Sequence, residues 1–441
     1  MPADATRTGY REAIRRFQRN AKLYLIYSAL SSVNSSIFLV AFAFYLEELY
    51  NPTGNPAATV GFLGVPMLVP AFIGVAFGAQ AIAHGANSLP SGILGDRYGR
   101  KRSFIAASLL AVFAGVAVLL TTDPMFLVGL AVVVGIGESF HGVVGAPFLM
   151  ENSRPEERIH LFTLSGVLST VSAVVGAFLG GILPGLFASI AGGPNPDLTA
   201  LRWTLFTALP FGLIELIPLA FMRESFTPFA ARLRDLLAMK HVAHKGNVAR
   251  LFGISAAYAA GLGLYFPLLN LHFEHEFEVH ADQFGPIVAI NEIGIALAIL
   301  TVPLLVARLG KVRTITVTRL ASVPFLLGLA LAGDVYLATL LFVLRGALSS
   351  LAFPVTGAFA MEVVDAPERA TTAGFTHAAF DVFYGGTVVI GGVLLAAGGF
   401  WLTFVFAGVL YVLHALLWYG FFRGHPVDLA SRTPAVAGAS E

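Results

Sequence analysis

Long apolar segments alternate with short polar or Pro/Gly-rich segments along the whole 441-residue chain. Twelve of the apolar segments approach or exceed the roughly 20 residues with which a helix crosses a ~30 Å hydrocarbon layer. Helices are predicted throughout, because a helix satisfies its own backbone groups where no water is present. The predicted spans, numbered 1 to 12 below, are 22–46, 66–94, 103–121, 125–150, 160–188, 200–222, 248–272, 284–307, 314–333, 335–361, 372–396 and 400–422.

The composition supports an all-α integral membrane protein. Hydrophobic residues make up 56% of the chain and the mean hydropathy is +0.78, whereas a soluble protein of this length needs more polar surface. A multi-pass protein of the plasma membrane is therefore predicted. The net charge of +1 gives no sign of nucleic-acid binding. The lack of cysteine excludes disulfides, Cys-ligated zinc and thiol catalysis.

The chain repeats itself at an offset of 211 residues. MENSRPEER begins at Met150 and MEVVDAPER at Met361, and the same offset relates Gly180-Gly181 to Gly391-Gly392. A duplication into two parallel six-helix halves is predicted. The predicted segments are a basic amphipathic N-terminal segment 1–21, a first bundle 22–222, a cytoplasmic linker 223–247, a second bundle 248–422 and a cytoplasmic tail 423–441.

The basic residues predict the orientation of the spans. If the N-terminus is cytoplasmic, all but Arg202, Arg319 and Arg345 of the 27 Lys and Arg residues fall on the cytoplasmic side. The opposite loops are acidic. The positive-inside rule therefore places both termini in the cytoplasm.

A dense group of charges lies between spans 2 and 3, in GILGDRYGRKR at 92–102. This stretch resembles the G-x-x-x-D-R-x-G-R-K signature of the major facilitator superfamily. Glu151 to Arg158 and Glu362 to Arg369 resemble that family's E-x6-R element. The resemblance implies two six-helix bundles that transport a small molecule by alternating access. We expect a monomer in the lipid bilayer, with an ion gradient instead of a cofactor.

In the family this loop fastens the halves together on the cytoplasmic side, and the resemblance implies the same here. Asp96 is expected at the N-terminus of span 11, with Arg97 and Arg100 reaching Asp365 or Glu368. The alternative is that the basic residues only set topology. Ala307 replaces the carboxylate in the second half, so no second latch is expected. The predicted latch residues are Gly92, Asp96, Arg97, Gly99, Arg100, Lys101, Glu151, Arg158, Glu362 and Arg369.

Charged side chains at bilayer depth are costly and are candidates for function. The preferred hypothesis is a proton site of Glu138, His141 and Asp381 with Arg345 as counter-ion. The alternative is a static Glu138–Arg345 pair. His377 and Glu292 are further candidates. His84 and His414 are interpreted as helix-packing residues, and Arg319 is expected to extend to the cytoplasmic surface.

Substrate contacts are predicted from polar and aromatic residues on spans expected to line a cavity. The candidates are Asn34, Phe38, Phe266, Asn270 and Phe353, each of which could instead pack the bundle. No metal site is assigned.

Three functions remain open. Ser172–Gly181 resembles the antiporter element G-x-x-x-G-P-x-x-G-G, with Ser172 and Ala177 replacing its first Gly and its Pro, and slightly favours proton-coupled export of small amphipathic compounds. The first alternative is uptake of a sugar or other polar metabolite. The second is a metal-handling or sensor protein that uses the His/Glu-rich loop 272–282, although HExxxH there lacks the zinc-hydrolase spacing. No phosphate-binding loop is present, and no enzyme activity is predicted.

Overall fold

The computed structural model describes residues 17–55, 57–154, 158–193, 196–224, 242–365 and 368–430. Most of the predicted N-terminal segment, the centre of the linker and the end of the tail lie outside these residues. The helices are Arg19–Tyr50, Val69–Tyr98, Arg100–Leu120, Pro124–Glu151, Arg158–Ala191, Leu198–Ile214, Leu216–Phe221, Lys245–Gly263, Leu269–Phe277, Ala281–Ile299, Val302–Leu309, Lys311–Leu329, Val335–Ser350, Ala352–Glu362, Arg369–Phe422 and Pro426–Ala430.

Twelve stretches of this helical structure are long and apolar enough to cross a membrane, which confirms the predicted number. Span 6 contains two helices that meet at Glu215. Span 7 is interrupted by a short 3-10 turn, Phe266–Leu268. Spans 11 and 12 both lie within Arg369–Phe422, and Gly399, with a φ of 71°, marks the turn between them.

Two short β-strands correct the prediction of helix throughout. β1 (Thr59–Phe62) and β2 (Val65–Leu68) form a two-stranded sheet, so the first three residues of predicted span 2 are strand and its helix begins at Val69. Leu63 and Gly64 between them both have positive φ, at 52° and 77°. Two consecutive left-handed residues match the twist of a tight hairpin. This turn was missed because Leu does not mark it in the sequence.

Aspartates begin three of the spans on the side predicted to be outside. Asp123, Asp197 and Asp334 each accept a hydrogen bond from a backbone N–H in the first turn of spans 4, 6 and 10, at 2.8 to 2.9 Å. The carboxylates satisfy free N–H groups and complement the partial positive charge of the helix ends. Part of the acidity of these loops is therefore helix capping.

The chain forms two compact units, and each contains a piece of the other half of the sequence. Of the described residues, the N-terminal unit has everything up to Val65, the stretch from Ala86 to Glu224, and His280–Pro286. The C-terminal unit contains Pro66–Gly85, residues 242–279 and the chain from Ile287 onward. The first parts of spans 2 and 8 thus pack in the unit opposite to their place in the sequence.

The 211-residue repeat recurs in the contacts within each unit. Arg100 contacts Glu151 at 2.7 Å in the N-terminal unit, and Lys311 contacts Glu362 at 2.5 Å in the C-terminal unit. These pairs are equivalent at the same offset. Gly99 and Gly310 precede the two basic residues and have φ of 100° and 79°, a region that L side chains rarely adopt. The glycines of the signature therefore turn the chain between spans 2 and 3 and between spans 8 and 9.

Paired glycines bring helices into close contact at equivalent places in the two units. In the N-terminal unit Gly181 of span 5 meets Gly285 of span 8, backbone against backbone. In the C-terminal unit the equivalent residues are Gly392 of span 11 and Gly74 of span 2. A Cβ on Gly392 would lie 2.6 Å from the Pro70 carbonyl oxygen. Small residues here let helix backbones approach, which gives the Gly-rich part of the antiporter-like element a packing role.

The turn glycines predict a loss of stability on substitution. Gly99→Ala and Gly310→Ala should each lower the free energy of unfolding by about 1 kcal/mol or more, because the positive φ disfavours a side chain. Thermal unfolding of the purified protein measures this. Gly129→Ala is the control, since Gly129 lies in span 4 with nothing within 4 Å of an added Cβ. Equal melting temperatures for all three variants would contradict the assignment.

Adjacent glycines of span 11 provide a matched test of the helix crossing. A Cβ on Gly385 would lie 2.7 Å from the Gly78 carbonyl oxygen, whereas one on Gly386 would meet nothing within 4 Å. Gly385→Ala should therefore destabilise the protein by about 1–3 kcal/mol, as overpacking does. Gly386→Ala should be neutral. Thermal unfolding of the two variants compares them, and the reverse order would rule out the crossing.

Candidate functional site

A cavity of about 260 Å³ lies within the C-terminal unit. Its lining comes from spans 7, 9, 10, 11 and 12. Tyr258, Phe353, Phe380 and Trp418 supply aromatic faces, and Arg319 supplies the charge. Of the predicted site residues, Phe353 and His377 line this cavity.

Arg319 is the most buried charge beside the cavity, with only 1% of its surface exposed. Its guanidinium carbon lies 3.9 Å from the ring centre of Tyr258 and 5.4 Å from that of Tyr411, and it donates a hydrogen bond to Ser349. The expectation that Arg319 extends to the membrane surface is therefore wrong. Aromatic rings hold the cation inside the bundle instead.

The same aromatic group connects Arg319 to the predicted counter-ion Arg345. Tyr258 stacks on Tyr411 with ring centres 5.5 Å apart, and the hydroxyls of Tyr411 and Tyr265 lie 3.2 Å apart. Arg345 is buried, with its guanidinium carbon 5.3 Å from the centre of the Tyr265 ring. Two buried arginines of this unit thus share one set of three tyrosines.

Asp381 on span 11 pairs with His84 on span 2. The His84 Nδ1 lies 3.0 Å from the Asp381 Oδ2, and both side chains are partly exposed, at 26% and 17%. A Cβ on Gly85 would lie 2.6 Å from the Asp381 Cβ, so the pair lies where the two helices almost touch. His84, interpreted from the sequence as a packing residue, is thus a partner of the predicted proton-site carboxylate.

The other predicted proton-site residues, Glu138 and His141, lie in the N-terminal unit. His141 stacks on Tyr27 of span 1 with ring centres 5.2 Å apart, and the Tyr27 hydroxyl is hydrogen-bonded to the His141 Nδ1. Tyr27 is buried and Glu138 is half-buried. His141 therefore connects spans 1 and 4.

The remaining predicted residues are spread over both units. Phe38 belongs to an apolar cluster with Val33, Ile37 and Ala208. Among the described residues, the Asn34 Oδ1 and both amide atoms of buried Asn270 have no hydrogen-bond partner. Phe266 is edge-on to Tyr265, with ring centres 6.4 Å apart, and Glu292 is half-buried.

The signature loop makes its described contacts inside the N-terminal unit. Arg100 pairs with Glu151. The expected contacts with Asp365 or Glu368 stay predictions. The Lys101 ammonium donates to the carbonyl oxygens of Ala220 and Met222, each at 2.8 Å. The loop therefore binds the ends of spans 4 and 6. Arg97 is exposed and Gly92 half-buried, and the side chains of Asp96, Arg158 and Arg369 lie outside those described.

Glu368 binds the start of span 7. Its carboxylate accepts a 2.5 Å hydrogen bond from the Ala243 N–H and lies 3.1 Å from the His244 Nδ1. Burial raises its pKa, but the hydrogen bonds from Ala243 and His244 outweigh that effect and hold the pKa of Glu368 below its usual value. These hydrogen bonds favour the ionised form of the Glu368 carboxylate.

The His/Glu-rich loop does not gather three potential metal ligands in the part of the chain described here. His272 is buried against Phe400 and Phe404, with its Nε2 3.3 Å from the Leu329 carbonyl oxygen. The described residues form one such group elsewhere, His244, Asp365 and Glu368.

Sequence reasoning missed His84 and Arg319. Both are polar residues inside apolar segments, and the same feature made Glu138 and Asp381 candidates for function. Their partners lie 297 residues away for His84 and in three other spans for Arg319. Only the folded chain brings those partners together.

Sequence comparison matches the Major Facilitator Superfamily over residues 23–243 and 251–439. The chain belongs to the major facilitator superfamily. With twelve candidate spans it is a multi-pass protein of the plasma membrane.

Two curated relatives and one solved structure illustrate the family. The chain is 28% identical over 211 residues to YwtG of Bacillus subtilis (strain 168), whose name assigns it to metabolite transport. It is 34% identical over 155 residues to the inner membrane metabolite transport protein YgcS of Escherichia coli (strain K12). These matches cover 47% and 34% of this chain, and only 40% of YwtG and 32% of YgcS.

The crystal structure of a D-xylose-proton symporter superposes with a TM-score of 0.71 at 16% identity, over 97% of this chain and 100% of that chain. This likeness shows the shared fold.

The ionised state of Glu368 predicts a pH-dependent contribution to stability. Because its pKa is lowered in the folded protein, the contribution is present above the unfolded pKa of about 4.5 and lost as the pH falls through the folded value. Glu368→Gln should therefore lower the melting temperature at pH 7, and the difference from the unmodified protein should shrink below pH 4.5. Thermal unfolding across pH 7 to 3.5 measures it; a difference that grows on acidification would contradict the sign.

Proposed function

We propose that this transporter moves a small organic metabolite by alternating access and draws on a proton gradient, as a monomer with both termini in the cytoplasm. The observation that carries the proposal is the His84–Asp381 pair at the crossing of spans 2 and 11. Burying a carboxylate and an imidazole at bilayer depth costs free energy, so such a pair is a candidate functional site. Both can gain and lose a proton, and their attraction changes when they do.

Position links this pair to helix movement. Spans 2 and 11 cross where glycine backbones meet the side chains of Ile82 and Val389, and the His84–Asp381 bond adds a polar contact to this crossing. Protonation of Asp381 removes its negative charge and weakens that bond. A proton would thereby shift the equilibrium between conformers that hold or release this crossing.

The substrate cavity shares span 11 with the proton pair. His377 and Phe380 line the cavity, and Asp381 is the next residue after Phe380. Binding in the cavity and protonation at Asp381 therefore act on the same helix. The relatives named for metabolite transport and the fold of a proton symporter are compatible with this scheme. Export of amphipathic compounds stays a prediction, and uptake fits equally well.

Proteoliposomes with an internal pH-sensitive dye test the coupling. D-xylose, uridine and benzoate are the added probes, and at least one should drive a pH change in the unmodified protein, whose sign gives symport or antiport. Asp381→Asn should reduce that proton signal about tenfold or more, since the variant cannot be charged. It should retain exchange of the labelled probe.

Asp334→Asn is the matched control, because Asp334 is an exposed helix cap in the same unit and asparagine also caps helices. Its proton signal should equal that of the unmodified protein. Full proton movement in Asp381→Asn would refute the proton role of this carboxylate.

A further inference from the structure

We infer that the cavity of the C-terminal unit binds the anionic group of a small amphipathic organic anion, with Arg319 as its anchor. This inference rests on the transport function proposed above and names its substrate class.

The first argument is the charge of the cavity. The lining residues that the structure describes include neither Asp nor Glu, and Arg319 is 1% exposed. Among the described residues, no carboxylate lies within ion-pair distance of its guanidinium; Tyr258 and Ser349 are its close contacts. A buried cation needs compensation by an opposite charge or several hydrogen bonds. An anionic ligand would supply what the chain does not.

The second argument is a set of unused hydrogen-bond donors. The Arg319 Nε and the Trp418 Nε1 are buried and have no partner in the described part of the chain, although both residues line the cavity. Buried donors are rarely left unsatisfied, because each costs about 1–3 kcal/mol. Both groups only donate, so the missing partner is an acceptor such as a carboxylate oxygen.

His414 completes the polar side of the cavity. Its Nδ1 lies 3.1 Å from the Ile254 carbonyl oxygen, so the Nδ1 carries the proton that it donates. The Nε2 is buried without a partner among the described residues. This atom is free to accept a hydrogen bond when neutral or to donate one when protonated. Neutral His414 thus offers an acceptor for a ligand hydroxyl, and the donors that favour an acceptor-rich ligand are those of Arg319 and Trp418.

The rest of the lining is apolar and limits the size of the ligand. Leu251, Phe353 and Phe380 face the same space as Arg319. A volume of about 260 Å³ lies just below the roughly 300–1,000 Å³ of sites for drug-sized ligands. A single aromatic ring or short hydrocarbon body with one acidic group fits both the size and the division into apolar and donor sides.

Isothermal titration calorimetry on the full-length protein in lipid nanodiscs tests the inference with benzoate. Benzyl alcohol is the matched neutral probe, because it keeps the ring and loses the charge. Benzoate should bind about tenfold or more tightly than benzyl alcohol, as a charge-assisted hydrogen bond predicts. Arg319→Met should remove this preference, whereas Arg319→Lys should keep part of it.

Arg250→Met is the control, since Arg250 is an exposed arginine 5.7 Å from the ring centre of Phe421 in the same unit. It should bind benzoate like the unmodified protein. If Arg319→Met fails to fold, Trp418→Phe decides, because it removes one donor and retains most of the shape. Its affinity for benzoate should fall about threefold to tenfold with that for benzyl alcohol unchanged.

Equal binding of the two probes by the unmodified protein would overturn the inference, as would unchanged benzoate binding in Arg319→Met or Trp418→Phe. These results distinguish failure of the anion site from failure of the transport proposal. Arg319-dependent binding supports the site even if no probe moves protons in liposomes. Proton-coupled transport of D-xylose without benzoate binding would refute the anion site alone.

Discussion

Polar groups inside the bilayer must be satisfied by the protein, because no water is available in the hydrocarbon region. This constraint explains where the structure places its charges. Arg319 lies among tyrosines and donates to Ser349, and Asp381 pairs with His84. At the helix ends, by contrast, Asp123 and its counterparts satisfy free N–H groups beside water. Buried donors without a partner among the described residues, such as the Arg319 Nε and the Trp418 Nε1, are therefore candidate ligand contacts.

The partly exposed His84–Asp381 pair lies where two helices are in close contact. Gly74 and Gly392 let spans 2 and 11 approach until backbones touch, and the equivalent Gly285 and Gly181 do the same for spans 8 and 5. Ile82 and Val389 also pack at the crossing of spans 2 and 11, and the His84–Asp381 pair adds a polar bond there. A change in the charge of Asp381 would therefore act directly on the packing of these two helices.

The ion pairs of the signature motifs could be predicted from the sequence in part, whereas the roles of Arg319 and His84 could not. The charges in the signature loop and their repeat at Lys311 and Glu362 were visible as sequence spacing, since both members of each ion pair lie in recognisable motifs. An ion pair that was not expected from the sequence joins Arg100 to the motif residue Glu151. Arg319 and His84 were undervalued because single polar residues in apolar segments carry no information about which spans face them.

Hydrophobic length, charge bias and internal repetition by themselves determined twelve spans in two related halves, because those properties depend on transfer of each segment between water and lipid. The tertiary structure alone decided that parts of spans 2 and 8 pack with the opposite half, that His84 meets Asp381, and that the described lining of one cavity has donors and no carboxylate. These features depend on which faces of packed helices meet, and hydropathy along a chain does not specify that.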